Sequence, residues 1–277
     1  MKSIRRAAVA GSWYPASPAA LAAAVDGYLH AARGRDVDGD LVALVAPHAG
    51  LMYSGPVAAY AYRLLSGRSF DVAVLVGPSH FAGFDGVVVY PSGGFETPFG
   101  VAHVQSDVAA DLVRASPAVR EHPGPHAREH SLEMQLPFVQ HLAPHIEIVP
   151  LLMGYQTAGT AEALARALAE AVRGRRALLV ASTDLSHYHD RETAARLDST
   201  VIDCVTRFDA DGLQNALDRR PEHACGGGPA VAVMRAAKAL GASDAVVLNY
   251  ADSGDVSGDT SSVVGYLAAA LGNFTSR

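Results

Sequence analysis

Four short apolar runs, each ending abruptly in a polar turn, constrain this chain more than any other feature. Residues 41–46 run into Pro47-His48-Ala49-Gly50, and residues 72–76 into Gly77-Pro78-Ser79-His80. Residues 177–181 run into Ser182-Thr183-Asp184-Leu185-Ser186-His187, and residues 245–248 into Asn249-Tyr250-Ala251-Asp252-Ser253-Gly254-Asp255. Runs of this length, rich in leucine and β-branched residues, read as strands buried on both faces. Residues 146–151 make a fifth such run, and 86–90 and 262–267 are further strand candidates. Helical patterns lie between them at 19–32, 56–65, 107–115, 161–172, 191–207 and 229–240, the first opened by Ser17 as cap and Pro18 at the first turn. The Gly/Pro-rich stretch 91–100 reads as a long loop. This alternation predicts a single-domain α/β protein over residues 1–277, with a central, mostly parallel sheet flanked by helices.

Composition narrows the function classes. Half of the 277 residues are apolar (49%) and only 18% are charged, enough for a large core and unlike a disordered chain. A net charge of −6 with no Lys/Arg run argues against nucleic acid or an anionic membrane as partner. No apolar stretch reaches membrane-spanning length, and the basic start Met1-Lys2-Ser3-Ile4-Arg5-Arg6 is not followed by the apolar segment of a signal peptide. A cytoplasmic protein is expected. Two cysteines, Cys204 and Cys225, do not make a disulfide framework.

In an open parallel sheet the carboxyl ends of the strands share one edge, where ligands bind. His48, His80 and His187 all fall just beyond predicted strand ends, so three imidazoles are expected in one polar pocket. Imidazole is both the commonest metal ligand and the side chain best suited to proton transfer near neutral pH. Asp184, three residues before His187, can orient that ring or cap its own turn. Cys225 lies in His223-Ala224-Cys225-Gly226-Gly227-Gly228-Pro229, directly before a predicted helix. A thiol there is expected to have a lowered pKa suited to metal binding or nucleophilic work, and the glycine amides can cradle an anion. The alternative is a glycine-rich connection around a buried thiol. Cys204, beside Val201 and Val205, reads as core. His126-Ala127-Arg128-Glu129-His130 spells the H-x-x-E-H pattern of inverted zinc peptidases, but it follows Pro123-Gly124-Pro125 and so falls at a helix start. Glu129, His130 and Glu133 are expected to line the pocket, the alternative being a solvated helix face. Asp252, Asp255 and Asp259 fall in a Gly/Ser-rich segment that reads as a turn, an anion nest or a substrate loop.

Taken in order, several of these motifs resemble one family. Residues 8–15 (AVAGSWYP), Ala46-Pro47-His48-Ala49-Gly50 with Tyr53-Ser54-Gly55, and Gly77-Pro78-Ser79-His80 come first. Glu129-His130-Ser131-Leu132-Glu133-Met134, residues 182–187, Cys225-Gly226 and Ser253-Gly254-Asp255 follow. From about Arg6 to Leu271 the chain is similar to the Memo family, whose prokaryotic members are often called AmmeMemoRadiSam system protein B. The resemblance implies a fold similar to class III extradiol dioxygenases, the non-haem iron enzymes that cleave catechol rings. It implies His48, His80 and Cys225 as metal ligands, with His187 as acid/base and Asp184 beside it. Iron or copper is the implied metal, with zinc a third option. A small aromatic, phenolic or peptide ligand in the pocket and a protein partner are the implied partners. Ring-cleaving sites hold iron with two histidines and a carboxylate. A cysteine in the carboxylate's place softens the donor set towards Cu(I), Zn(II) or a redox role, and leaves open a non-catalytic scaffold that keeps the pocket.

Overall fold

The computed structural model describes residues 3–32 and 37–275; residues 1–2, 33–36 and 276–277, which the single-domain reading includes, lie outside the described residues. Twelve strands are described: β1 (Ile4–Arg5), β2 (Gly39–Ala46), β3 (Val72–Pro78), β4 (Val87–Val89), β5 (Gly94–Thr97), β6 (Gly100–His103), β7 (Val119–Glu121), β8 (Glu147–Met153), β9 (Ala177–Ser182), β10 (His187–His189), β11 (Asp244–Asp252) and β12 (Val263–Phe274). The helices are α1 (Pro18–Ala31), α2 (Leu51–Tyr62), α3 (Ser106–Ala115), α4 (Leu136–Leu142), α5 (Ala158–Ala171), α6 (Arg191–Thr206), α7 (Ala210–Arg219), α8 (Gly227–Ala239) and the single turn α9 (Gly254–Ser257).

One large sheet has the order β10-β12-β2-β9-β3-β8-β4-β7, with β11 paired to β12. Its centre, β2-β9-β3-β8, is parallel throughout, as the apolar runs predict. Antiparallel pairs join on both sides, β12 against β2 and β4 against β8, so the sheet is mixed. Because β12 reverses the direction and β11 reverses it again, β11 runs parallel to β2. Its carboxyl end therefore reaches the same edge.

The strands are apolar at consecutive positions because both faces are covered. Val72, Val74 and Val76 enter one core with Leu164, Leu168 and Val233, while Ala73 and Leu75 enter the other with Leu21, Tyr62 and Phe138. Side chains alternate across a strand, so a run buried on both faces must be apolar throughout. Two faces of comparable burial fix the register and hence where each strand ends. Helices α3, α5, α6, α7 and α8 cover the first face, and α1, α2 and α4 the second.

Several elements differ from expectation. Strand β11 runs on through Asn249-Tyr250-Ala251-Asp252, paired with β12, where a polar turn was expected, and β7, β10, α4 and α7 are additional. The loop predicted over 91–100 contains β5, which pairs with β1 and forms a hairpin with β6 in a separate three-stranded sheet. Helix α2 begins at Leu51 rather than Pro56, because the Leu51 N–H donates to the Trp13 carbonyl and the Gly50 carbonyl accepts from Tyr53 and Ser54. Pro56 then sits inside the helix and forgoes one bond to the carbonyl of exposed Met52. Strand β12 continues seven residues beyond the predicted end, through Ala268-Ala269-Ala270-Leu271-Gly272, a stretch whose alanines favour helix in isolation. Burial between β2 and β11 overrides that preference.

Candidate metal centre

The ends of β2, β3 and β9 deliver the site. His48 lies two residues past β2 and is 2% exposed, whereas His80 lies two past β3 with its side chain 29% exposed. Cys225, immediately before the turn into α8, brings Sγ to 3.2 Å from His48 Nε2. One ligand atom from each of His48, His80 and Cys225 lies within 4.8 Å of the other two. His80, Glu129 and His130 form a second group of the same tightness. The three imidazoles of His48, His80 and His130 are mutually close, their ring centroids 4.6–5.7 Å apart.

Hydrogen-bond accounting fixes the ring tautomers. The single hydroxyl proton of Ser182 goes to the Ser131 carbonyl at 2.7 Å, since a carbonyl can only accept. Gln135 Nε2 donates to the Pro47 carbonyl and to Ser182 Oγ, so the remaining Ser182 lone pair accepts from His48 Nδ1–H at 2.8 Å. The His48 Nε2 lone pair therefore points towards Cys225. At His80, Nδ1–H donates to Glu129 Oε1 at 2.9 Å, and the backbone N–H donates to Oε2 at 2.6 Å. With Nδ1 turned to Glu129, Nε2 is the nitrogen of His80 left to face a ligand. A histidine whose second nitrogen is held by a carboxylate or hydroxyl is the arrangement that orients metal-binding imidazoles.

The electrostatics agree with this division. Burial raises the Glu129 carboxyl, but bonds from His80, together with the Ser131 N–H, outweigh it and hold the group at about 2. Burial, then the neighbouring His80 and His130, push His48 well below the ordinary histidine value, so its lone pair is free at neutral pH. His130 is brought down to about 4, again chiefly by burial. The Cys225 thiol corrects the sequence expectation: burial first, then the Asp184 charge, push it up rather than down. A thiolate at this place needs a cation beside it, which a metal provides. The donor atoms converge and their imidazoles are oriented for coordination, so the residues fit a metal ion.

The glycine amides behind Cys225 are not an anion cradle. The Gly226 N–H is taken by Thr183 Oγ1 at 2.9 Å and the Gly228 N–H by Gln156 Oε1 at 2.7 Å. Glycine is required at 226, where a Cβ would lie 2.3 Å from the Ser182 carbonyl oxygen.

Asp184 is buried and its Oδ1 accepts from the His48 N–H at 2.7 Å, with a further bond from Ala49. Burial raises its carboxyl to about 7 against those bonds. Its carboxylate thus ties the β9 end to the distant loop carrying His48, a role that differs from both expectations, orienting His187 and capping its own turn. His187 opens β10, its ring bonded to the Leu185 backbone and packed edge-on to Tyr188 at 5.7 Å, and burial lowers its pKa. Tyr188 adopts φ 62° at a register shift in β10, the extra residue of a bulge that re-aims its neighbours.

Of the histidines and carboxylates expected in the pocket, His187 and Glu133 belong to neither metal-capable group among the described residues. Glu133 turns instead to the N-terminal segment, bonding Arg5, Tyr14 and the amides of Ala8 and Val9. His126 lies in a 3₁₀ turn, Gly124–Ala127, with its ring between Tyr90 and Phe95, and belongs to no metal-capable group among the described residues. The inverted-peptidase reading fails for that reason. Cys204 is core, as expected. Arg191 bonds Asp252 and Asp255, which fixes that segment as an ion-paired turn. Sequence reasoning missed Ser182 and Gln135, whose value lies only in the bonds they hold, and Gln156, which follows β8 as a neutral amide.

Among the described residues, no helix is long and apolar enough to cross a membrane. The solved structure of an uncharacterized protein from Escherichia coli K12 superposes with a TM-score of 0.57 at 17% identity, covering 83% of this chain and 99% of that one. That likeness concerns the fold alone. A MEMO1 family protein of Methanothermobacter thermautotrophicus is 39% identical over 95% of this chain and 98% of its own length. Another, from Methanopyrus kandleri, is 37% identical over 95% and 97%. The Memo-like protein family matches residues 5–270, which contain every residue of the cluster described above. On these grounds the chain belongs to the Memo family.

Proposed function

We propose that the chain is a metal-dependent oxidoreductase of the non-haem type, acting on a small aromatic or phenolic substrate. The observation carrying this reading is the convergence of His48, His80 and Cys225 within 4.8 Å. When bound, iron or copper supplies one-electron and dioxygen chemistry; the thiolate favours the softer copper or zinc over the iron of a two-histidine, one-carboxylate site. His48, His80 and Cys225 would hold the ion, the two rings being oriented by Ser182 and Glu129. His187, neutral at pH 7 and anchored through the Leu185 backbone, accepts and returns the substrate's proton. Asp184 keeps the His48 loop in place behind them.

An aromatic substrate is supported by two exposed rings at the cluster, with a third beside His187. Trp13 and Phe81 pack against His130 at 4.3 and 5.9 Å, and Tyr188 packs against His187. Flat apolar surfaces beside a polar centre suit a planar ring with one reactive polar edge. The cytoplasm is the compartment this reading implies, consistent with two free cysteines.

The test is oxygen uptake by anaerobically metal-loaded protein across a panel of catechols, phenols and thiols. Turnover that is lost in His187→Ala while metal content is retained supports the proposal. Absence of uptake and of any spectral change across the panel refutes it. A second reading is favoured by the cysteine where ring-cleaving sites carry a carboxylate: a non-catalytic scaffold whose pocket binds a metal, a peptide or a protein partner. It predicts that His187→Ala leaves biological activity intact while changes to Trp13 or Phe81 abolish it.

A further inference from the structure

We infer that Gln156 is the positioning residue for Cys225, setting how well its sulfur reaches the metal; this rests on the reading of Cys225 as a ligand. Gln156 lies three residues beyond β8, a central parallel strand whose end supplies none of the clustered metal-capable side chains. Its Nε2 donates to the Cys225 carbonyl at 2.6 Å, and its Oε1 accepts from the Gly228 N–H at 2.7 Å. Both partners are unambiguous, a carbonyl and an amide N–H, so the side-chain amide has one orientation. It grips the turn on either side of Gly226-Gly227.

Gln156 shares the turn with two other residues, Thr183 and Asp184. The N-cap of α8 is Gly226, which offers no side chain for the amides of the first turn, so their partners must come from elsewhere. Thr183 Oγ1 takes one of those amides and Gln156 another. The Cys225 N–H bonds the Asp184 carbonyl at 3.2 Å, and the Asp184 N–H reaches Sγ at 3.3 Å. The other side of the turn faces a cavity of ≈ 320 Å³ bounded by Tyr155, Gln156, Leu217, Asp218 and Pro221. The turn is packed closely on its inner side, where a Cβ at Gly227 would meet Leu217 at 2.5 Å and one at Gly228 the Met153 sulfur at 2.8 Å, and it is open on the side of the cavity. On that open side the backbone that carries Sγ is held by hydrogen bonds, and Gln156 supplies two of them, one on each side of the glycines. Small displacements matter because a ligand's supporting groups typically change metal affinity by about 10–100-fold.

The experiment is cobalt(II) titration of the full chain, reading affinity and the thiolate-to-cobalt charge-transfer absorption per bound ion, for wild type, Gln156→Ala and Gln156→Glu. Thermal melts of the metal-free proteins are run alongside. Wild type should show the thiolate band. Gln156→Ala should bind about ten-fold or more weakly, with a weaker band per bound cobalt, because the histidines still bind while sulfur contributes less. Gln156→Glu retains the acceptor for Gly228 but opposes a carboxylate to the Cys225 carbonyl, so it should show the same loss and remains informative should the alanine variant fail to fold. A merely structural role predicts lower melting temperatures with affinity and band unchanged, and that result overturns the inference. A wild-type protein that binds cobalt without any thiolate band removes the ligand reading itself, and this inference with it.

Discussion

Glu129 and Glu133 lie four residues apart on one connecting segment, and both carboxylates are buried, 2% and 0% exposed. Glu129 accepts from the imidazole and backbone of His80 and from the amides of His130 and Ser131. Glu133 accepts from Arg5 at 2.5 Å, from Tyr14 Oη at 2.6 Å, and from the amides of Ala8 and Val9. One carboxylate orients a metal-binding ring; the other fastens the N-terminal segment to the sheet. Both are equally satisfied, so what separates them is the partner. A histidine with a free second nitrogen passes the charge on to a ligand site, whereas an arginine consumes it.

The comparison breaks most visibly at Glu133. Glu133→Ala leaves the buried Arg5 guanidinium, 3% exposed at its side chain, without its counter-charge. A buried pair broken on one side costs roughly 3–5 kcal/mol, so chemical denaturation should show a loss of that order. Metal content per folded molecule should stay at the wild-type level. Glu129→Gln should behave in the opposite way. The amide cannot accept from all the N–H groups on that carboxylate, and the His80 ring loses its anchor, so metal affinity should fall by about 10–100-fold in a competition titration. Its melting temperature should change less than that of the Glu133 variant.

His126 sharpens the comparison through pH, because its backbone carbonyl accepts from Arg5 on the Glu133 side. Burial, then the Arg5 charge, lower its folded value from 6.5 to about 3. Above pH 6.5 the ring is neutral in both folded and unfolded chains and contributes nothing to the pH dependence. Below it the unfolded chain takes up a proton that the folded chain refuses, so stability falls with pH. The slope approaches about 1.4 kcal/mol per unit, or roughly 2 kcal/mol between pH 6.5 and 5. His126→Phe should flatten that limb in denaturation curves recorded across the range. A smaller effect is expected at Cys204, 4% exposed in the core, where Cys204→Ala should cost about 1 kcal/mol and leave metal binding unchanged.

Much of this arrangement is legible in the sequence because one physical constraint writes it. Strands buried on both faces must be apolar throughout, so His48 and His80 stand out where the apolar runs stop. Their shared edge then follows from parallel pairing. Glu129 and Glu133 show where that legibility ends: residue type and spacing are alike, and only the tertiary partner assigns the role. The Cys225 thiol shows a second limit, since proximity to a helix N-terminus is visible in sequence and the burial that outweighs it is not. Gln156 and Ser182 carry no charge to draw notice, and their contribution lies in bonds between distant strand ends. The extent of β12 was hidden because its alanines favour helix until two neighbouring strands enclose them.

The central claim is that His48, His80 and Cys225 form one metal centre. Metal-edge X-ray absorption on anaerobically reconstituted protein, repeated on Cys225→Ser, tests it most directly. The predicted result is a first shell of imidazole nitrogens with one sulfur, the sulfur disappearing in the variant while nitrogen scattering remains. A wild-type shell of nitrogen and oxygen alone, or sulfur that persists without Cys225, contradicts the account.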